Sequence, residues 1–175
     1  MAKKSRAQTI AIPAKIDFAG RKLVLETGEL AIRAPIAVKA SYGETVVLVT
    51  ITHADPVTQI DFLDLRVDFQ EKFYASGTIN SSKYIKRDGR PTDDAVISRR
   101  VIDHAFRPLF PKDFNLSIQI VVTVLSLDDD ADAEFLGMIA TSAALYAFTL
   151  SIIWGLSPKA LPLDSAQRSV PSAAV

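Results

Sequence analysis

Cysteine is absent from this 175-residue chain. That absence excludes disulfides and thiolate metal sites, and it fits a reducing compartment, so the expected location is the cytoplasm. Histidine is scarce: His53 and His104 are the two present. They are too few and too isolated for a metal site, and each is read as structural or peripheral; no metal ligand is assigned in the chain. Net charge is lacking too, with 20 Lys and Arg against 20 Asp and Glu. A neutral chain argues against a protein that coats nucleic acid with its whole surface, but it leaves room for one local basic face. No GxSxG, P-loop or GxGxxG pattern occurs, so hydrolase-elbow, nucleotide-triphosphatase and dinucleotide readings have no support. The opening MAKKSRAQTI is basic, but no apolar run of signal-peptide length follows it. There is no internal repeat.

The composition is that of a globular protein, 49% hydrophobic and 23% charged, with enough apolar mass for a real core. Its length suits one domain, or one and a partial second. Residues 1–13 are expected to be a flexible N-terminus, 14–150 the folded domain, and 151–175 a disordered tail.

From Thr9 to about Phe69 the chain reads as strands. Lys22–Leu25 is a short strand closed by Glu26-Thr27-Gly28. Ile32–Ala40 is mixed, with Pro35 favouring an edge or a strand end. Thr45–Thr52 (TVVLVTIT) is the strongest strand, β-branched, apolar on both faces and therefore central. Along Leu63–Phe69, Leu63, Leu65, Val67 and Phe69 face one way and Asp64, Arg66 and Asp68 the other. Gln70–Asp88 is expected as a long polar loop. A helix follows, with Thr92 as N-cap after Pro91, and Asp93 and Asp94 at the positive end of the dipole. Ala95, Ile97, Val101, Ile102 and Ala105 supply its helical spacing, and it ends before Pro108. Ser117–Leu127 is a second buried strand. The acids Asp128, Asp129, Asp130 and Asp132 lack the Gly and distal Glu of a calcium loop, and read instead as a strand-to-helix turn. A second helix is expected from about Asp132 to Phe148, with Gly137, Ala140, Ala143 and Ala144 allowing close packing. The order of elements predicts an α+β fold, a mixed sheet with two helices packed on one side.

Residues 135–157 carry no charge, which is long enough for a membrane span. They hold Thr141, Ser142, Thr149, Ser151, Gly137 and Gly155, and no Lys/Arg cluster flanks them. A helix buried on a sheet is the expectation, with no membrane partner.

The stretch Lys83–Lys112 stands out. It holds eight Lys and Arg residues, five of them Arg, in an otherwise neutral chain. Lys86, Arg87 and Arg90 sit on a Gly/Pro-marked loop; Arg99, Arg100 and Arg107 sit on or just after the helix. A planar guanidinium fork suits phosphate oxygens. Tyr84 lies beside the first cations, and an aromatic next to cations is what single-stranded RNA sites use, because bases stack while cations hold phosphates. The plainer alternative is a solvated helix face whose cations pair with Asp88, Asp93, Asp94 and Asp103.

Six segments then carry a family resemblance: FAGRKLVLETGELA (residues 18–31), YGETVVLVT (42–50), DFLDLRVDFQEKFYASGTI (61–79), KRDGRPTDD (86–94), RVIDHAFRPLFPKDF (100–114) and QIVVTVLSLD (119–128), continued by TSAAL (141–145). In this order and spacing the chain resembles the N-terminal part of the polynucleotide phosphorylases, whose first domain is RNase PH-like and α+β. The resemblance implies a phosphate-dependent 3′-to-5′ exoribonuclease of RNA degradation, a polyribonucleotide nucleotidyltransferase. In it, inorganic phosphate attacks the terminal 3′ phosphodiester and nucleoside diphosphates leave, with magnesium as cofactor. It also implies a homotrimeric ring and single-stranded RNA 3′ ends as partner. The RNA-gripping loop of the family carries two aromatics and two basics; here it reads Tyr84-Ile85-Lys86-Arg87, with one ring missing. Arg90, Arg100 and Arg107 match basic positions of the motif, and His104 stands where many members have Arg. The RNA-binding residues expected are therefore Tyr84, Lys86, Arg87, Arg90, Arg100 and Arg107.

The family's catalytic and metal-linked residues belong to a second RNase PH-like domain, so no catalytic residue is assigned here and the magnesium ligands are expected outside this chain. The 14–150 domain is expected to be incomplete, and truncated alone the chain is expected to be inactive. The match fades after about Leu145, as a shifted reading frame or a truncated gene would produce. The expected role is RNA binding and trimer assembly. The alternatives are a non-catalytic RNA-binding module and a non-functional gene fragment.

Overall fold

A computed structural model describes residues 14–54, 62–77, 91–111, 114, 116–128 and 131–154. Five strands come first: β1 (Ala14–Phe18), β2 (Arg21–Thr27), β3 (Ile36–Tyr42), β4 (Thr45–Ala54) and β5 (Leu65–Glu71). Helix α1 (Asp93–Phe106), strand β6 (Ser117–Ser126) and helix α2 (Ala133–Trp154) follow. Short 3₁₀ turns lie at Phe73–Ser76 and Arg107–Leu109.

The strands form one six-stranded sheet in the order β1-β2-β3-β4-β6-β5. Neighbours among β1, β2, β3, β4 and β6 pair antiparallel, and β5 joins β6 in parallel. The sheet is thus mixed, as expected. The parallel pair has a physical cause: β5 reaches β6 only through a crossover that contains α1, and such a connection returns the chain in the same direction.

Alternation puts Thr45, Val47, Val49 and Ile51 of β4 and Ile118, Ile120, Val122 and Val124 of β6 into the core. Their neighbours Val46, Leu48, Thr50, Val121 and Thr123 lie on the opposite face and are half-buried. Both helices cover the core face. Helix α2 packs along β3 and β4, and α1 packs against β5 at the sheet's edge. At Gly137 of α2 an added Cβ would lie 3.2 Å from Val122 Cγ1, 3.4 Å from Phe69 Cε2 and 3.9 Å from Ile102 Cδ1. One glycine therefore touches two strands and α1, and the small-residue stripe expected for α2 does allow close packing; Ala140 and Ala144 are fully buried beside it.

Three expectations are corrected. The buried stripe of α1 is Ala95, Ser98, Ile102 and Phe106, whereas Ile97 and Val101 are exposed. Positions 95, 98, 102 and 106 follow an i, i+3, i+4 pattern, and Ser98 is admitted because its hydroxyl donates to Asp94 O and Glu134 Oε2. Helix α2 continues to Trp154, through residues 151–154 that were assigned to the tail, since no helix breaker occurs before Gly155. The loop expected from Gln70 starts later, because β5 runs to Glu71 and a 3₁₀ turn occupies Phe73–Ser76. The tail from 155 onward and the N-terminal residues 1–13 lie outside the described residues.

The stretch Ala133–Ser151 of α2 is long and apolar enough to cross a membrane. Here Leu136, Ala140, Thr141, Ala144, Ala147 and Phe148 line one face of it and are buried against the sheet. The turn leading into it is pinned from β4: the Thr45 hydroxyl donates to Ala131 O (3.1 Å) and accepts from Asp128 N–H (3.0 Å). Asp132 Oδ1 accepts from Glu134 N–H at 2.8 Å, a helix-initiating role for this acid in keeping with the capping turn expected there.

Candidate nucleic-acid interface

Helix α1 begins as its sequence requires. Thr92 is extended, with φ −61° and ψ 158°, and its Oγ1 accepts from Ala95 N–H at 3.1 Å. The same hydroxyl donates to Glu71 Oε2, so the end of β5 and the start of α1 are tied. This fixes the rotation of α1, and with it the direction in which residues 99, 100, 103 and 104 project.

Those residues face a groove beside the edge strand. It holds about 650 Å³ and is lined by Asp64, Leu65, Arg66 and Val67 from β5 and the residues before it, and by Arg99, Arg100, Asp103 and His104 from α1. Its lining is mostly polar. Arg99 and Arg100 of the basic stretch thus share a groove with Arg66 of β5, an element adjacent to α1 only in space.

Not every cation there is free. Arg107 Nε donates to Asp103 Oδ2 (3.2 Å) and Nη2 to Asp103 Oδ1 (2.8 Å). The same guanidinium donates through Nη1 to Leu63 O (3.2 Å) and through Nη2 to Leu65 O (3.1 Å). Four of its five N–H donors are thereby used inside the domain. Arg99 lies 3.9 Å from Asp68, whose other oxygen accepts from Gln119 Nε2. Asp64 Oδ2 accepts from Ser117 Oγ at 2.6 Å. Arg100 is exposed, and it has no hydrogen-bond or ion-pair partner among the described residues.

Of the expected RNA-binding residues, Arg100 lines the groove, while Arg107 is bonded to Asp103, Leu63 and Leu65 beside it. Tyr84, Lys86, Arg87 and Arg90 lie outside the described residues. The solvated-face alternative holds in part: Asp103 does pair with Arg107. Two lining cations were not singled out as binding residues from sequence. Arg99 sat in the basic run with no motif position of its own, and Arg66 stood alone on a strand. The alternation that turns Arg66 away from Leu65 and Val67 was the available signal.

His53 packs beside Phe148 with ring centroids 5.6 Å apart and planes tilted by 50°, while His104 lines the groove. Among the described residues no three His, Asp or Glu side chains form a set that would hold a metal ion.

Comparison with known proteins agrees with this architecture. A family model described as 3′ exoribonuclease family, domain 1, matches residues 19–151. A polyribonucleotide nucleotidyltransferase of Heliobacterium modesticaldum is 49% identical over 131 residues, which is 74% of this chain and 18% of that protein. One from Rhodopseudomonas palustris is 50% identical over 132 residues, 75% of this chain and 18% of that protein. The chain therefore spans about a fifth of the length of these curated relatives. Among solved structures, an Archaeoglobus fulgidus exosome with RNA bound to the active site superposes with a TM-score of 0.51 at 18% identity, over 67% of this chain and 48% of that one. The rice (Oryza sativa) Rrp46 crystal structure gives a TM-score of 0.51 at 14% identity, over 71% and 53%. At those identities the structural likeness shows the fold, which is RNase PH-like.

Proposed function

The chain belongs to the 3′ exoribonuclease family through the domain it carries over residues 19–151, and from that membership we propose that it is the RNA-gripping part of a polyribonucleotide nucleotidyltransferase. The reaction of such an enzyme is phosphorolysis: inorganic phosphate attacks the terminal 3′ phosphodiester of RNA, and a nucleoside diphosphate leaves. That chemistry needs positioning and charge neutralisation more than covalent catalysis. This chain supplies the positioning of the strand. Inorganic phosphate, and the magnesium ion that would neutralise charge at the reacting phosphates, belong to residues outside it. Assembly is as a homotrimeric ring, and the compartment is the cytoplasm.

The observation that carries the reading is the groove between β5 and α1, where Arg100 stands exposed and unpaired among the described residues. A cation held on a fixed helix and left without a carboxylate is available to a phosphate oxygen. Affinity for a single strand falls with salt, and loss of one phosphate contact makes that log–log dependence less steep by about 0.7. Arg100→Ala is therefore expected to weaken binding of a single-stranded oligoribonucleotide and to flatten its salt dependence by about 0.7. An unchanged affinity and slope would overturn the role given to the groove.

A further inference from the structure

Arg66 occupies a position that no motif marks. It sits on β5 opposite Gln119 of β6, with its side chain on the face away from the core. It is exposed, and it forms no hydrogen bond or ion pair among the described residues. The carboxylates around it are directed elsewhere. Asp64 Oδ2 accepts from Ser117, Asp68 is shared by Gln119 and Arg99, and Asp103 is held by Arg107. Arg66 and Arg100 are then the two guanidinium groups of the groove with no partner among the described residues, one on each wall.

We propose that Arg66 is a second phosphate-contacting residue, and that with Arg100 it makes the groove a site for a polynucleotide with successive phosphates rather than for one isolated phosphate. The inference rests on the RNA-gripping reading given above and adds a residue and a substrate preference to it. A lone phosphate brings one anionic group to the two walls. A strand that carries a charge at every nucleotide can meet both cations at once, and the second contact is then intramolecular, favoured by a high effective concentration. Arg is also the apt residue for the strand wall, because its planar fork donates two parallel hydrogen bonds to phosphate oxygens.

The test is the salt dependence of affinity for a single-stranded oligoadenylate, measured with the whole chain and its Arg66→Ala, Arg66→Lys and Arg100→Ala variants. Circular dichroism checks that each is folded; the Arg66 side chain has no hydrogen bond or ion pair among the described residues, so its replacement should leave the fold intact. Arg66→Ala is expected to flatten the log–log salt dependence by about 0.7, and Arg66→Lys to retain it, since a charge remains. Competition by inorganic phosphate should not distinguish Arg66→Ala from the parent. If Arg100→Ala flattens the salt dependence and Arg66→Ala does not, the inference about Arg66 fails and the gripping role of the groove stands. If neither substitution changes it, both fail together.

Discussion

The guanidinium of Arg107 grips the carboxylate of Asp103 one helical turn earlier, at 2.8 and 3.2 Å, while donating to the carbonyls of Leu63 and Leu65. One side chain thus closes the end of α1 onto the entry to β5. Ion pairs at this spacing on an exposed helix are worth a few tenths of a kcal/mol. The two carbonyl bonds raise the stake, because they fasten the end of α1 to the segment entering β5.

Arg107→Ala is accordingly expected to lower stability by about 1–2 kcal/mol, read as a shift in urea midpoint without a change in m-value. Asp103→Asn should cost less, since the bonds to Leu63 and Leu65 remain. A drop in RNA affinity on Arg107→Ala with an unaltered midpoint would assign the residue to RNA rather than to the fold.

Much of the architecture was legible in the sequence, and the exceptions share a cause. The start of α1 could be read because Pro91, Thr92, Asp93 and Asp94 act on their own neighbours. Strands β4 and β6 could be read because their β-branched runs are local. The state of each cation could not. Arg107 is bound by carbonyls 42 and 44 positions away, Arg99 by a carboxylate on β5, and Arg66 joins the groove only once α1 packs beside β5. Burial of Ser98 was equally hidden, since Glu134, which accepts a hydrogen bond from its hydroxyl, lies on α2.

Helix capping gives a second prediction. Thr92→Ala removes the bond to Ala95 N–H and should destabilise by about 1 kcal/mol, whereas Thr92→Asn retains a cap. Hydrogen exchange in the first turn of α1 should quicken for the alanine variant alone. Uniform exchange in all three proteins would mean that the cap is replaced by water at no cost.

Close packing at Gly137 gives a third. Alanine would gain roughly 1 kcal/mol in helix propensity, but its Cβ would stand 3.2 Å from Val122 Cγ1. Val122 is fully buried in a central strand, and a β-branched side chain there has little freedom to turn. Overpacking of this kind costs about 1–3 kcal/mol, so Gly137→Ala should be net destabilising in thermal melts. The same change made in a Val122→Ala background should be stabilising relative to Val122→Ala alone. Equal effects in both backgrounds would contradict the contact.

Lys39 gives a fourth. Its ammonium is bonded first by Glu26 and then by Glu29, the latter at 2.9 Å, and these bonds raise its pKa above the ordinary lysine value. The folded state therefore holds this proton more tightly than the unfolded state. The stabilisation is complete below the unfolded lysine value, about 10.4, and is lost as pH rises through the raised folded value. As a surface cluster it should contribute about 0–1 kcal/mol. Lys39→Met should remove that alkaline component, seen as a flatter dependence of the urea midpoint between neutral pH and pH 11. An identical profile in the variant would contradict it.

The central claim is a division of labour, in which this chain grips RNA and the reacting groups lie elsewhere. Its most direct test is release of ADP from poly(A) by the purified chain with phosphate and magnesium, beside a control without phosphate and a parallel measurement of poly(A) binding. The account predicts retained binding and no ADP. Phosphate-dependent ADP would contradict it, by placing the chemistry within these 175 residues.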